Sequence, residues 1–113
     1  MLIYFSDKKL KRSIESDDER RKRFGVEMAN KINLRMGALS AAKNLADFLP
    51  PYSGPERCHE LRGVLKGIFS IDLKHQYRLL FKPTENQQKE TYNLQDWEKI
   101  DEVTIVGIED THD

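Results

Sequence analysis

The hydrophobic period of this chain changes at Gly67, and that change limits the possible folds more than any other feature. Before it, Phe24, Met28, Ile32 and Leu39, with Met36 to one side, fall at helical spacing and predict a long helix over about 17–39. After it, Phe69, Ile71 and Leu73 alternate with Ile68, Ser70 and Asp72. Beyond Lys74 and His75, the residues Tyr77, Leu79 and Phe81 alternate with Arg78 and Leu80. A period of 2 sends successive side chains to opposite faces of a strand. This stretch is therefore a β-hairpin, although its turn lacks Asn-Gly chemistry and leaves the register open.

The remaining elements follow from end signals. "LIYFS" is a first strand. Ser6 then reads as an N-cap, with Asp7 in the first turn of a helix over about 7–15. Ser16 caps the long helix, and Asp17, Asp18 and Glu19 sit where the helix dipole favours anions. Gly25 weakens that helix by about 1 kcal/mol relative to Ala without ending it. "SAAKNLADFL" reads as a further short capped helix stopped by Pro50 and Pro51, and "YSGPER" as loop. Residues 83–102 form a long polar connection in which Trp97 and Ile100 are the strong anchors, in one helical turn. A last strand runs over about 103–109. Strand, helices, then strands predict an α+β fold in one domain, 1–113: an N-terminal strand and two or three helices packed on one face of an antiparallel sheet.

At 113 residues, 38% apolar and 34% charged, the chain can bury a core without disulfide or metal. Its one cysteine, Cys58, excludes an internal disulfide and a cysteine-built zinc site, which fits a reducing, cytoplasmic setting. The N-terminal apolar run is five residues long, too short for a secretory signal or a membrane span. Net charge is zero, but residues 1–82 carry 17 Lys and Arg against 10 Asp and Glu, while residues 83–113 carry 2 against 9. That asymmetry suggests a polyanion-facing surface on the first part, or compensation between the two within the fold.

Chemistry has few places to reside. His75 reads as a solvated turn residue and His59 as a structural or surface residue when taken alone. Asp110 and His112, at i and i+2, share a face if the last strand continues through them. Arg78 stands among residues built for burial and needs an anionic partner, either Asp72 across the hairpin or a ligand. Arg62 and Lys66 flank Gly63, a pattern that suits phosphate and equally suits solvent. The run containing Arg20, Arg21 and Arg23 reads as a solvated helix face that can also touch RNA.

Taken together, "HELRGVLKGIFSIDLKHQYRLLF" and "DWEKIDEVTIVGIEDTH" resemble the HigB-type toxins, also called proteic killer or killer-suppression proteins, of the RelE/ParE superfamily. The residues carrying the resemblance are His59, Leu61, Arg62 and Gly63; Leu65, Lys66 and Gly67; Phe69; Arg78; and Asp110 with His112. It implies a RelE/ParE-like fold and a ribosome-dependent endoribonuclease that cuts messenger RNA by attack of the ribose 2′-hydroxyl, with no metal or other cofactor. By that analogy His59 and His112 are the acid and base, Asp110 orients or tunes an imidazole, and Arg62 and Arg78 neutralise phosphate. Lys66, Arg20, Arg21 and Arg23 would bind RNA. The sequence departs from the family pattern at Arg62, where Lys is frequent, and at Thr111, where an aromatic is usual.

The resemblance also implies partners: a helix-turn-helix antitoxin, messenger RNA on the ribosome, DNA only through the antitoxin, and no membrane. Two other readings share the fold. One is a ParE-like toxin that inhibits gyrase by binding alone; the other is a catalytically lapsed chain that binds its antitoxin as a regulator.

Overall fold

The computed structural model describes residues 1–110. Five strands form one sheet: β1 (Leu2–Phe5), β2 (His59–Glu60), β3 (Phe69–Asp72), β4 (Tyr77–Pro83) and β5 (Glu102–Asp110), in the order β1-β5-β4-β3-β2. Two helices, α1 (Lys8–Glu15) and α2 (Asp17–Ala41), pack on one face. Short 3-10 turns occupy Leu45–Phe48, Gly63–Leu65, Glu85–Gln87 and Leu94–Lys99.

The α+β class holds, with a correction to the sheet. It is mixed, because β1 runs parallel to β5, pairing Leu2 with Glu102 through Phe5 with Ile105. A strand's direction is set by where its ends are tethered. The Met1 amino group donates to the carbonyls of Ser40 (2.9 Å) and Ala42 (2.6 Å), which fixes the start of β1 at the end of α2. The other pairs are antiparallel. The hairpin register sets Phe69 against Phe81 and Asp72 against Arg78. A bulge shifts the β4–β5 register, so that Leu80 faces Gly107 and Phe81 faces Ile105.

Three helix boundaries also differ from expectation. Asp7, not Ser6, caps α1, its Oδ1 accepting from the Leu10 amide at 2.7 Å. Ser16 caps α2 as expected. Gly25, however, interrupts α2 with φ 79 and ψ 165, a conformation open to glycine, so the long helix is two pieces meeting at a kink. Downstream, α2 runs through Ser40 to Ala41, and the short turn that follows is capped by Asn44 instead.

The core lies between helices and sheet, where Ile14, Ile32 and Leu39 meet Ile71, Leu79, Phe81 and Ile105. Trp97 and Ile100 close it at one end, as anchors of the polar connection. Phe69 collects the aromatics there, with ring centroids 5.4 Å from Trp97, 5.5 Å from Tyr92 and 5.9 Å from Phe81. By strand alternation His59, Ser70 and Leu80, opposite one another in register, face the other way.

Candidate active site at the sheet edge

Strand β2 is only two residues long, yet it places His59 at the edge of the sheet. The loop before it folds back on itself: the Tyr52 amide donates to the Cys58 carbonyl at 3.1 Å and the Arg57 amide to the Ser53 carbonyl at 3.2 Å. This closure lays the Tyr52 ring on the His59 imidazole, with centroids 4.0 Å apart and planes 17° from parallel. The Arg57 guanidinium lies over the same tyrosine ring, 5.2 Å from its centroid. His59 Nδ1 stands 2.7 Å from the Arg57 carbonyl oxygen. A carbonyl only accepts, so Nδ1 carries a hydrogen. His59 is 5% exposed.

After β2 the chain makes a second braced loop. The Leu61 amide donates to the Ile68 carbonyl at 2.8 Å, and the Gly67 amide to Glu60 Oε2 at 3.0 Å. Arg62, Gly63 and Lys66 project from this frame into an open cleft of about 380 Å³, which His59 and Tyr52 also line. Tyr92, Leu94 and Trp97 form another part of its wall. Cations, an imidazole and aromatic surface in one cleft suit a phosphodiester flanked by bases.

Arg78 takes the other use anticipated for it. Its Nε approaches Asp72 Oδ1 at 3.0 Å, outside hydrogen-bonding geometry, and its Nη1 donates to the carbonyls of His75 and Tyr77 at 3.0 and 3.1 Å. It does not line the cleft. Asp72 also receives Arg57, with Nε to Oδ2 at 3.1 Å, so Arg57 joins the His59 and Arg78 groups. Asp110 ends β5 opposite Tyr77, and β3 and β4 lie between its strand and that of His59. Thr111 and His112 lie outside the described residues.

The basic run is divided. Arg20 is 7% exposed, donates to the Ile14 carbonyl at 2.7 Å and pairs with Asp17. It braces the α1–α2 junction and offers no surface to RNA, a correction to the solvated-face expectation. Arg21 is exposed beside Asp18 at 3.1 Å, and Arg23 is exposed over the Phe24 ring at 5.7 Å. Neither lines the cleft.

Sequence reasoning missed Tyr52, Arg57 and Tyr92. An aromatic and an arginine bracketing "SGPE", just before a histidine, were the available signal; their convergence depends on loop closure that no periodicity reports.

A small mixed sheet with two helices on one face is the architecture of the RelE/ParE-like fold. The solved YoeB-YefM complex from Staphylococcus aureus is similar over 99% of this chain and 98% of that one, at TM-score 0.54 and 17% identity. The YoeB/ParE toxin from Agrobacterium tumefaciens is similar over 99% and 100%, at TM-score 0.54 and 16% identity. A comparison with curated proteins gives no match. Residues 3–95 match the family model of the RelE-like toxin of type II toxin-antitoxin system HigB. The chain belongs to this family of HigB-like toxins. The matched span contains His59, Arg62, Lys66 and Arg78 and ends before Asp110.

Proposed function

We propose that this toxin is an endoribonuclease that cuts messenger RNA on the ribosome, with its reacting centre at the β2-edge cleft. The observation carrying the reading is that His59, Arg62 and Lys66 line one cleft, with His59 Nδ1 held 2.7 Å from the Arg57 carbonyl oxygen. In the reaction a base takes the 2′-hydroxyl proton while O2′ bonds to phosphorus. The P–O5′ bond then breaks, and an acid protonates the leaving oxygen. A 2′,3′-cyclic phosphate and a 5′-hydroxyl result. His59 serves as base, and Arg62 and Lys66 stabilise the charge gathering on the phosphoryl oxygens. Arg62 is too weak an acid to protonate the leaving group, so that role goes to His112, oriented by Asp110, on the strength of the family resemblance. Arg21 and Arg23 extend the contact to the RNA backbone. No metal or other cofactor enters this scheme.

A cytoplasmic chain of this family works with an antitoxin, and we infer a helix-turn-helix antitoxin that contacts DNA on the toxin's behalf. The structural relative solved as the YoeB-YefM complex supports a protein partner. No helix among the described residues is long and apolar enough to cross a membrane.

Arg78 favours a second reading, a toxin acting by binding alone as a gyrase inhibitor, because its charge is already met by Asp72. Induced expression without antitoxin, with messenger RNA 5′ ends mapped for wild type, His59→Ala and His112→Ala, separates the two. New cuts at translated positions, lost in both variants, support the nuclease. Growth arrest with intact messages supports the binding toxin, and no arrest identifies a lapsed antitoxin-binding regulator.

A further inference from the structure

The loop over 62–67 carries the two cations of the cleft, Arg62 and Lys66, and little packs upon it. None of its turn residues is buried; Val64 at the tip is fully exposed and Leu65 is 39% exposed. Gly63 and Gly67 stand at φ 67 and 91, so the chain bends there at its most permissive residue type. The carboxylates of β2 and β3 are engaged elsewhere, Asp72 with Arg57 and Arg78 and Glu60 with the Gly67 amide. Among the described residues neither Arg62 nor Lys66 forms an ion pair. The two cations therefore stand where the loop backbone puts them.

That backbone is closed by bonds within the loop and by one bond from a side chain. The Lys66 amide donates to the Gly63 carbonyl at 3.1 Å and the Ile68 amide to the Leu65 carbonyl at 3.0 Å. Glu60 Oε2 accepts from the Gly67 amide at 3.0 Å, which ties the far end of the loop to the strand that leads into it. Glu60 is itself fixed, because it is half-buried and pairs in the β2–β3 ladder with the buried Phe69. A bond from an amide to a carboxylate is roughly twice as strong as one between neutral groups. By charge alone a carboxylate lining this cleft would oppose RNA; as a clasp it has the opposite effect.

We propose that Glu60 is a positioning residue of this site: its carboxylate clasps the loop at Gly67 and so holds Arg62 and Lys66 in the cleft, free to meet phosphate. That they meet RNA rests on the nuclease reading, but the clasp itself does not. Glu60 touches no reacting atom in this scheme and acts through the two cations.

Glu60→Gln and Glu60→Ala separate charge from clasp, because both remove the same charge and only glutamine keeps an acceptor for the Gly67 amide. NMR order parameters of the folded chain without RNA read the clasp directly. Over 62–67 they are expected to fall below about 0.6 in the alanine variant and to stay near about 0.85 in the wild type and the glutamine variant, with β4 and β5 rigid in all three. In anisotropy titrations of a short single-stranded RNA, the alanine variant is expected to bind about threefold or more weakly than the glutamine variant, since two long side chains must then be ordered on binding. Equal loop order parameters in the wild type and the alanine variant overturn the proposal, as does equal affinity of the two variants for an RNA that the wild type binds. Should the alanine variant fail to fold, Glu60→Val, which lacks an acceptor and suits an edge strand, carries the same comparison with glutamine. A loop loosened in the variant without an acceptor, in a chain that binds no RNA, upholds the clasp and rejects the nuclease.

Discussion

Asp72 gathers more of the site's charge than any other single residue. Its carboxylate meets Arg57 and Arg78, its carbonyl accepts from Arg35 of α2 at 2.8 Å, and its amide donates to the Glu56 carbonyl at 2.8 Å. The backbone bonds survive a change of side chain, so Asp72→Asn isolates the charge. Two guanidinium groups then face each other without an anion between them. Stability is expected to fall by about 1–2 kcal/mol, discounted because Arg57 is half exposed, and is measured as a lower urea midpoint at unchanged slope. Cys58 shows the opposite case, a group kept out of chemistry. Burial, reinforced by the Glu56 charge, pushes its thiol far above the ordinary cysteine range. Only the thiolate reacts, so alkylation of the native chain should proceed at the rate of unfolding and become fast only in denaturant. Rapid labelling of the folded chain would contradict its packing.

At the scale of elements, α2 supplies an internal comparison. Gly25 holds positive φ at the kink, while Gly37 lies within the helix, exposed, with open space where a Cβ would stand. Gly25→Ala should destabilise by about 1–3 kcal/mol through backbone strain, and Gly37→Ala should stabilise by about 0.4–1 kcal/mol. Equal effects in chemical denaturation would mean that the kink is not required. The turn at Leu94–Lys99 adds a dependence on pH. The Lys89 ammonium, then the backbone bond from Asn93, lowers the Asp96 pKa from its ordinary 3.8. A lowered folded-state value gives stability that is complete above the unfolded value and is lost as pH falls through the folded one. Urea midpoints should therefore decline below about pH 4, and less steeply in Asp96→Asn. Much of this element structure was legible: Ser16 as cap, the hairpin alternation, and Trp97 and Ile100 as anchors all follow from local spacing. The parallel pairing of β1 was not, because its direction depends on tethering Met1 to Ser40 and Ala42, forty residues away in the chain. Nor was the break at Gly25, since the propensity penalty for glycine is similar whether a helix continues or kinks.

The molecule as a whole brings the question back to charge. Cationic excess lies in residues 1–82 and anionic excess in 83–113, yet both parts meet at the cleft, whose lining Arg62 and Lys66 share with Tyr92, Leu94 and Trp97. His59, Arg62 and Lys66 were legible as a group because one short stretch carries them. Arg57 and Tyr52 were not, because only the closure of the Tyr52–Cys58 loop brings them onto the histidine. Arg78 illustrates the limit from the other side: an arginine among strand residues built for burial announces a need for an anion, and the strand register decides that Asp72 meets it. If the cleft binds RNA through phosphate, association must weaken linearly in log–log form as salt rises, and each cation removed must lower the slope by roughly 0.7, the value for a single strand. Arg62→Gln and Lys66→Gln are expected to do so, singly and together, in fluorescence-anisotropy titrations of a short single-stranded RNA. Arg20→Gln, whose charge is spent on Asp17 and Ile14 inside the fold, should lower thermal stability and leave the slope where it was. The contrast locates the binding surface: a slope unmoved by Arg62 and Lys66 would remove RNA from this cleft, whatever the toxin does elsewhere.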